Sequence, residues 1–248
     1  MIILKSESEI AAMRKAGRVV AQAHEIVRER LRPGITTADI DRWVAEFFQR
    51  VGAVSAFKGY HGYPAHVCTS VNDEVVHGIP GPRVLEEGDI IAVDIGAFVD
   101  GFCGDSAWTY PVGQVSELAQ KLLRVTEESL MKAIEQAVAG NRLSDIGHAV
   151  QSHVEAAGFS VVKSFVGHGI GRSMHEAPQI PNFGRPGRGP KLKEGMTLAI
   201  EPMVNAGGDD VRILEDNWTA VTADGSLSAH FEHTVAVREG QAEILTVV

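Results

Sequence analysis

The sequence predicts an α+β fold built as two related halves, and three observations carry that prediction. Apolar residues recur at helical spacing in two stretches near the start and again in two stretches past the middle. Gly34, Asp39, Ile40 and Gly52 are matched by Gly140, Asp145, Ile146 and Gly158, each 106 residues later. Each half also contains apolar strand-like runs that hold or end in an acid, "EEGDIIAVDIG" at 86–96 and "KEGMTLAIEPM" at 193–203.

The first helix is expected from about Ser6 to Leu31, because Ile10, Met13, Val20, Val27 and Leu31 share one face and "RPG" ends it. A second follows in "ADIDRWVAEFFQRVG", where Thr37 is the expected cap and Gly52 the stop. The same grammar returns with a helix near Val115 to Val138, a break at "AGN", and "LSDIGHAVQSHVEAAG" closing at Gly158. The "HGIP" at 77–80 and "HGIG" at 168–171 read as matching turns, but they are offset by only 91 residues. The first half therefore carries about 15 residues more after its second helix, in "FKGYHGYPAHVCTSVND". That segment is aromatic, glycine-rich and polar, which suits a loop shaping a pocket. Residues 1–248 are expected to form one catalytic domain, with halves of about 1–112 and 113–248.

Composition narrows the function classes. A net charge of −9 opposes a general electrostatic grip on nucleic acid or anionic lipid. The two cysteines, Cys68 and Cys103, form no C-x-x-C pair and support neither a disulfide framework nor a zinc ribbon. "MIILKSESEI" has too short an apolar run for a secretion signal, and no run reaches the roughly 20 residues of a membrane helix. A cytoplasmic location is expected.

The acids carry the chemistry. Asp94 lies inside the apolar run Ile90, Ile91, Val93, Ile95, and a buried carboxylate is costly unless paired or bound to a cation. Asp105 follows "DGFCG", a turn that would return the chain beside Asp94; read alone, Asp105 or Asp100 would suit a turn. Glu201 ends "MTLAI" and Glu232 lies inside "SAHFEHTVAV". Adjacent carboxylates are reconciled by a shared proton or a shared metal, and two divalent cations would balance four carboxylates. His168 would add a nitrogen ligand. One imidazole among oxygen ligands favours Mn, Fe(II) or Co, with Zn also compatible.

Other motifs fail. "HEAPQ" lacks the second histidine of H-E-x-x-H, and Pro178 forbids the helix that motif needs. No G-x-G-x-x-G, P-loop or G-x-S-x-G elbow occurs. "NFGRPGRGPKLK" at 182–193 is basic and reads as a solvated loop.

The ordered series Asp94, Asp105, His168, Glu201 and Glu232, set in "VDIGAFVDGFCGDSA", "GHGIGRSMHEAP", "IEPMV" and "FEHTVAV", closely resembles type I methionine aminopeptidases over nearly the whole chain. The resemblance implies a duplicated pita-bread fold, with antiparallel sheet inside, helices outside and a dinuclear metal site at the centre. It implies that Asp94 chelates one metal, Asp105 and Glu232 bridge both, and His168 and Glu201 complete the other site. His77 and His175 match histidines that would hydrogen-bond the scissile amide, and Glu201 would shuttle the proton to the leaving amine. Phe57, Tyr60, Tyr63, Cys68, Met174 and Trp218 match the methionine pocket. Some bacterial members have cysteine where this chain has Phe57 and phenylalanine where it has Met174, a difference that bears on pocket shape and inhibitor preference.

The implied activity is release of N-terminal methionine from nascent polypeptides when the next residue is small, by a monomer with transient ribosome contact and no membrane or specific nucleic acid partner. Proline-specific peptidases and creatine hydrolases on this fold resemble longer chains. A non-catalytic binding module on the same scaffold predicts missing ligands, and all five are here.

Overall fold

The computed structural model describes residues 1–248. The first half carries α1 (Glu7–Arg30), α2 (Thr37–Val51), β1 (Val54–Ser55), β2 (Cys68–Val71), β3 (Glu74–Val76), β4 (Ile90–Val99) and β5 (Phe102–Pro111). The second carries α3 (Glu117–Gln136), α4 (Leu143–Ala156), β6 (Ser160–Val161), β7 (Gly167–Gly169), β8 (Glu176–Ile180) and β9 (Thr197–Ile200). It continues with β10 (Met203–Asn205), β11 (Val211–Ile213), β12 (Ala220–Thr222), β13 (Ser228–His230), β14 (Glu232–Ala236) and β15 (Glu243–Ile244).

Local chemistry sets the helix ends. Ser6 and Glu9 form a reciprocal capping box at the start of α1. The cap of α2 is Thr36, which makes the same box with Asp39, and not Thr37 as the sequence suggested. The reason is that the Thr37 hydroxyl is engaged elsewhere, donating to the Gly81 carbonyl at 3.0 Å and accepting from the Gly81 N–H at 2.9 Å. Gly52 and Gly158 close α2 and α4 in left-handed conformation, φ 72° and 85°, so the matched glycines share a backbone role.

One antiparallel sheet joins the halves in the strand order β1, β4, β5, β14, β9, β7, β8, with β2 also paired to β4 and β15 to β14. The second-half strand β14 thus lies against the first-half strand β5. The β4–β5 hairpin turns on Asp100 and Gly101, both with positive φ (51° and 79°), as a two-residue Asp-Gly loop favours. Alternation along the strands separates two faces. Ile91, Val93 and Ile95 of β4 pack with Val44 and Phe48 of α2, and Leu198 and Ile200 of β9 pack with Leu122 and Val150 of α3 and α4. Each such buried side chain contributes about 1.5–3 kcal/mol. The intervening residues face away from the helices, and among them are the acids.

The segment 57–73 is not all loop. Its first part turns through residues 60–62, but Cys68–Val71 forms the fully buried strand β2, with Cys68 opposite Asp94. No helix is long and apolar enough to cross a membrane.

Candidate metal centre

Sheet register gathers the acids. Asp94 pairs with Ala107 across β4 and β5, and Ala107 pairs with Glu232 across β5 and β14, so Asp94 and Glu232 share a face. Asp105 lies two residues before Ala107 and joins them. On the other side of β14, His233 pairs with Ile200, which brings Glu201 beside Glu232 one step past the end of β9. His168 pairs with Ala199, two residues before Glu201, and so enters the same face from β7. Five neighbouring strands each contribute one predicted ligand.

The resulting distances suit a cation. Ligand atoms of Asp105, His168 and Glu232 all lie within 4.8 Å of one another, as do those of Glu201, His230 and Glu232. His168 Nε2 is 3.5 Å from Glu201 Oε1 and 3.9 Å from Asp105 Oδ2. The His168 Nδ1 lies 2.9 Å from the Gly169 carbonyl; an N–H there donates to that oxygen and leaves the Nε2 lone pair for a ligand. Asp94 Oδ1, Asp105 Oδ1, Glu232 Oε1 and His230 Nε2 are buried without any hydrogen-bond partner.

Burial pushes the Asp94 carboxyl up to about 7 and that of Glu201 to about 8. Asp105 and Glu232 are driven well up by burial and by their acidic neighbours. Burial pushes His168 down to about 4, so it presents a neutral imidazole. Orphaned acceptors, mutual repulsion and a neutral imidazole describe a site whose missing partner is positive. The donor set therefore fits divalent cations.

All thirteen residues singled out from the sequence line one cavity of about 160 Å³: Asp94, Asp105, His168, Glu201, Glu232, His77, His175, Phe57, Tyr60, Tyr63, Cys68, Met174 and Trp218. The carboxylates form one part of its wall, and the apolar and aromatic side chains form another. Tyr63 and Trp218 meet edge-on with ring centroids 5.0 Å apart, and the Tyr63 hydroxyl donates to the Gly78 carbonyl at 2.9 Å. His77 follows β3 with a left-handed φ of 62° and packs edge-on against Phe165 at 5.4 Å. The His175 ring is 4.3 Å from that of His168, and its Nδ1 lies 2.8 Å from the Tyr60 hydroxyl. Burial pushes His77 down to about 4 and lowers His175 as well.

One residue at this centre escaped the sequence reading. His230 is 2% exposed, and its Nε2 is 3.4 Å from Glu201 Oε2, so a second imidazole lies beside the one expected among the ligands. The available signal was its place two residues before Glu232 in "SAHFEHTVAV", an interval at which extended residues share a face.

Residues 11–239 match the model of metallopeptidase family M24. The chain is 55% identical over 248 residues to methionine aminopeptidase 1 of Bacillus subtilis (strain 168), covering 100% of both chains. The crystal structure of methionine aminopeptidase from Thermotoga maritima superposes with a TM-score of 0.98 at 52% identity, again over 100% of both chains. A prolidase from Pyrococcus furiosus shares the fold with a TM-score of 0.81 at 22% identity; the alignment covers 99% of this chain and 66% of the prolidase.

Proposed function

The chain belongs to metallopeptidase family M24 and, within it, to the methionine aminopeptidases, and from that membership we propose that it removes the N-terminal methionine of newly made proteins when the second residue is small. The observation that carries this reading is the continuity of the cavity, in which a carboxylate-and-imidazole floor meets an apolar, aromatic wall. An unbranched thioether packs well against such a wall.

Asp94, Asp105, His168, Glu201 and Glu232 would hold two divalent cations. The metals Co, Mn, Fe(II) and Zn are all compatible with that donor set. When bound, the pair supplies Lewis acidity and a hydroxide nucleophile near neutral pH. The chain's own residues do the rest. Met174, Phe57, Tyr63, Cys68 and Trp218 enclose the methionine side chain and exclude water from it. His77 and His175 are neutral because burial lowers their proton affinity, so each offers an N–H to the oxygen of the scissile amide as charge develops there. The Tyr60 hydroxyl holds the His175 ring through Nδ1 and leaves Nε2 for that contact. Glu201 takes up a proton at its carboxylate and passes it to the leaving amine.

We take residues 1–248 as one catalytic unit dividing near Val112, because the first half supplies Asp94 and Asp105 and the second supplies His168, Glu201 and Glu232. A single chain provides every residue of the site, so a monomer suffices. A substrate emerging during synthesis supports a cytoplasmic location. The exposed Arg185, Arg188, Lys191 and Lys193 support transient contact with the ribosome.

A peptide series tests the reading. Protein supplied with Mn, Co or Fe(II) is expected to release methionine from Met-Ala-Ser and not from Met-Leu-Ser. Folded protein that releases none from either peptide with any of these metals contradicts it.

A further inference from the structure

We infer that His230 is a positioning residue of the metal centre, its Nε2–H donating to Oε2 of Glu201 so that Oε1 is left beside His168 for a cation. The inference rests on the metal-centre reading above and adds to it a residue outside the five ligands.

The Glu201 carboxylate lies between two imidazoles, one facing each oxygen. Oε1 is 3.5 Å from His168 Nε2, and Oε2 is 3.4 Å from His230 Nε2. The His230 ring is buried and its Nε2 makes no hydrogen bond in the structure, although it faces Oε2 of Glu201 at 3.4 Å. A buried N–H without an acceptor is costly, so a ring nitrogen aimed at a carboxylate oxygen is best explained as that oxygen's donor. The backbone of His230 is clamped. Its N–H donates to the Thr109 hydroxyl at 2.9 Å, and its carbonyl accepts from the same hydroxyl at 2.8 Å. Met203 of β10 pairs with it from the other side. The short turn between β9 and β10 carries Glu201, so one strand pairing fixes donor and acceptor together. A carboxylate with one oxygen tied in this way has fewer orientations to lose when it binds a cation.

The test is calorimetric titration of manganese(II) into metal-free full-length protein, with the melting temperature of each metal-free variant measured alongside. Glutamine presents an amide N–H at the reach of the imidazole Nε2 but is a poor ligand. His230→Ala is expected to weaken manganese binding by roughly tenfold to a hundredfold, while His230→Gln stays within about threefold of the wild type. Equal binding by wild type and His230→Ala overturns the inference and leaves the metal centre standing. Equal loss in both variants, with melting temperatures unchanged, also overturns it and makes the imidazole itself a ligand. Loss that tracks a lower melting temperature in both variants reduces His230 to packing and likewise overturns it. Wild-type protein that binds no manganese removes the metal centre and this role with it.

Discussion

His168 and His175 lie close, with ring centroids 4.3 Å apart and planes tilted by 59°, but their hydrogen bonds assign them different work. His168 Nδ1 is committed to its neighbour's carbonyl and its Nε2 faces acids, whereas His175 Nδ1 is committed to Tyr60 and no carboxylate lies within ion-pair distance of its ring. His168→Ala is expected to lose bound metal, and His175→Ala to keep it while turnover falls about a hundredfold to a thousandfold. Metal counting and turnover on both proteins decide this, and equal metal loss refutes the division. A third histidine reports on stability instead. Burial pushes His24 down to about 3, with its ring held by Tyr110 at 2.9 Å and the Ser106 carbonyl at 3.0 Å. The unfolded chain binds a proton below about pH 6.5 that the folded chain refuses, so this contribution is absent above pH 6.5 and destabilises progressively as pH falls toward 3. At pH 5 the loss is about 2 kcal/mol. His24→Gln does not titrate, so its melting temperature should fall less than that of the wild type between pH 7 and 5; parallel slopes contradict the assignment.

The β4–β5 hairpin is the element on which the site depends, since it carries Asp94 and Asp105. Its Asp100–Gly101 turn was legible because two positive φ values call for those residue types. Gly101→Ala should cost about 1 kcal/mol. Gly104 is tighter for another reason: a Cβ there would lie 2.7 Å from the Gly17 nitrogen, where β5 runs directly under α1. Gly104→Ala should therefore cost about 1–3 kcal/mol by urea unfolding, with Asp105 displaced and metal affinity reduced. A Gly104→Ala protein as stable as the wild type contradicts this packing. The long helices were equally legible from their apolar period. Strand β2 was not, because four residues beside a glycine-rich loop carry too little alternation to stand out. Thr36, not Thr37, has Asp39 three residues on to complete a capping box, and the structure uses that pair.

Across the whole molecule, the acids were readable because carboxylates inside apolar runs are rare, and their matching in both halves made chance a poor explanation. The order of the sheet was not readable, since the β5–β14 pairing joins segments more than a hundred residues apart and no local pattern encodes it. The place of His230 beside Glu201 was equally unreadable, since Glu201 arrives through β9, and only its spacing from Glu232 offered a local signal. This long-range pairing assembles a carboxylate site whose donor set fits divalent cations. The direct test strips metal from the purified protein, restores manganese stepwise, and measures ions bound per chain and methionine released from Met-Ala-Ser in the same samples. No release without metal, and activity that rises with occupancy to two ions per chain, is the expected result. Full activity in the metal-free protein, or stoichiometric binding without any release, contradicts metal-dependent methionine release at this site.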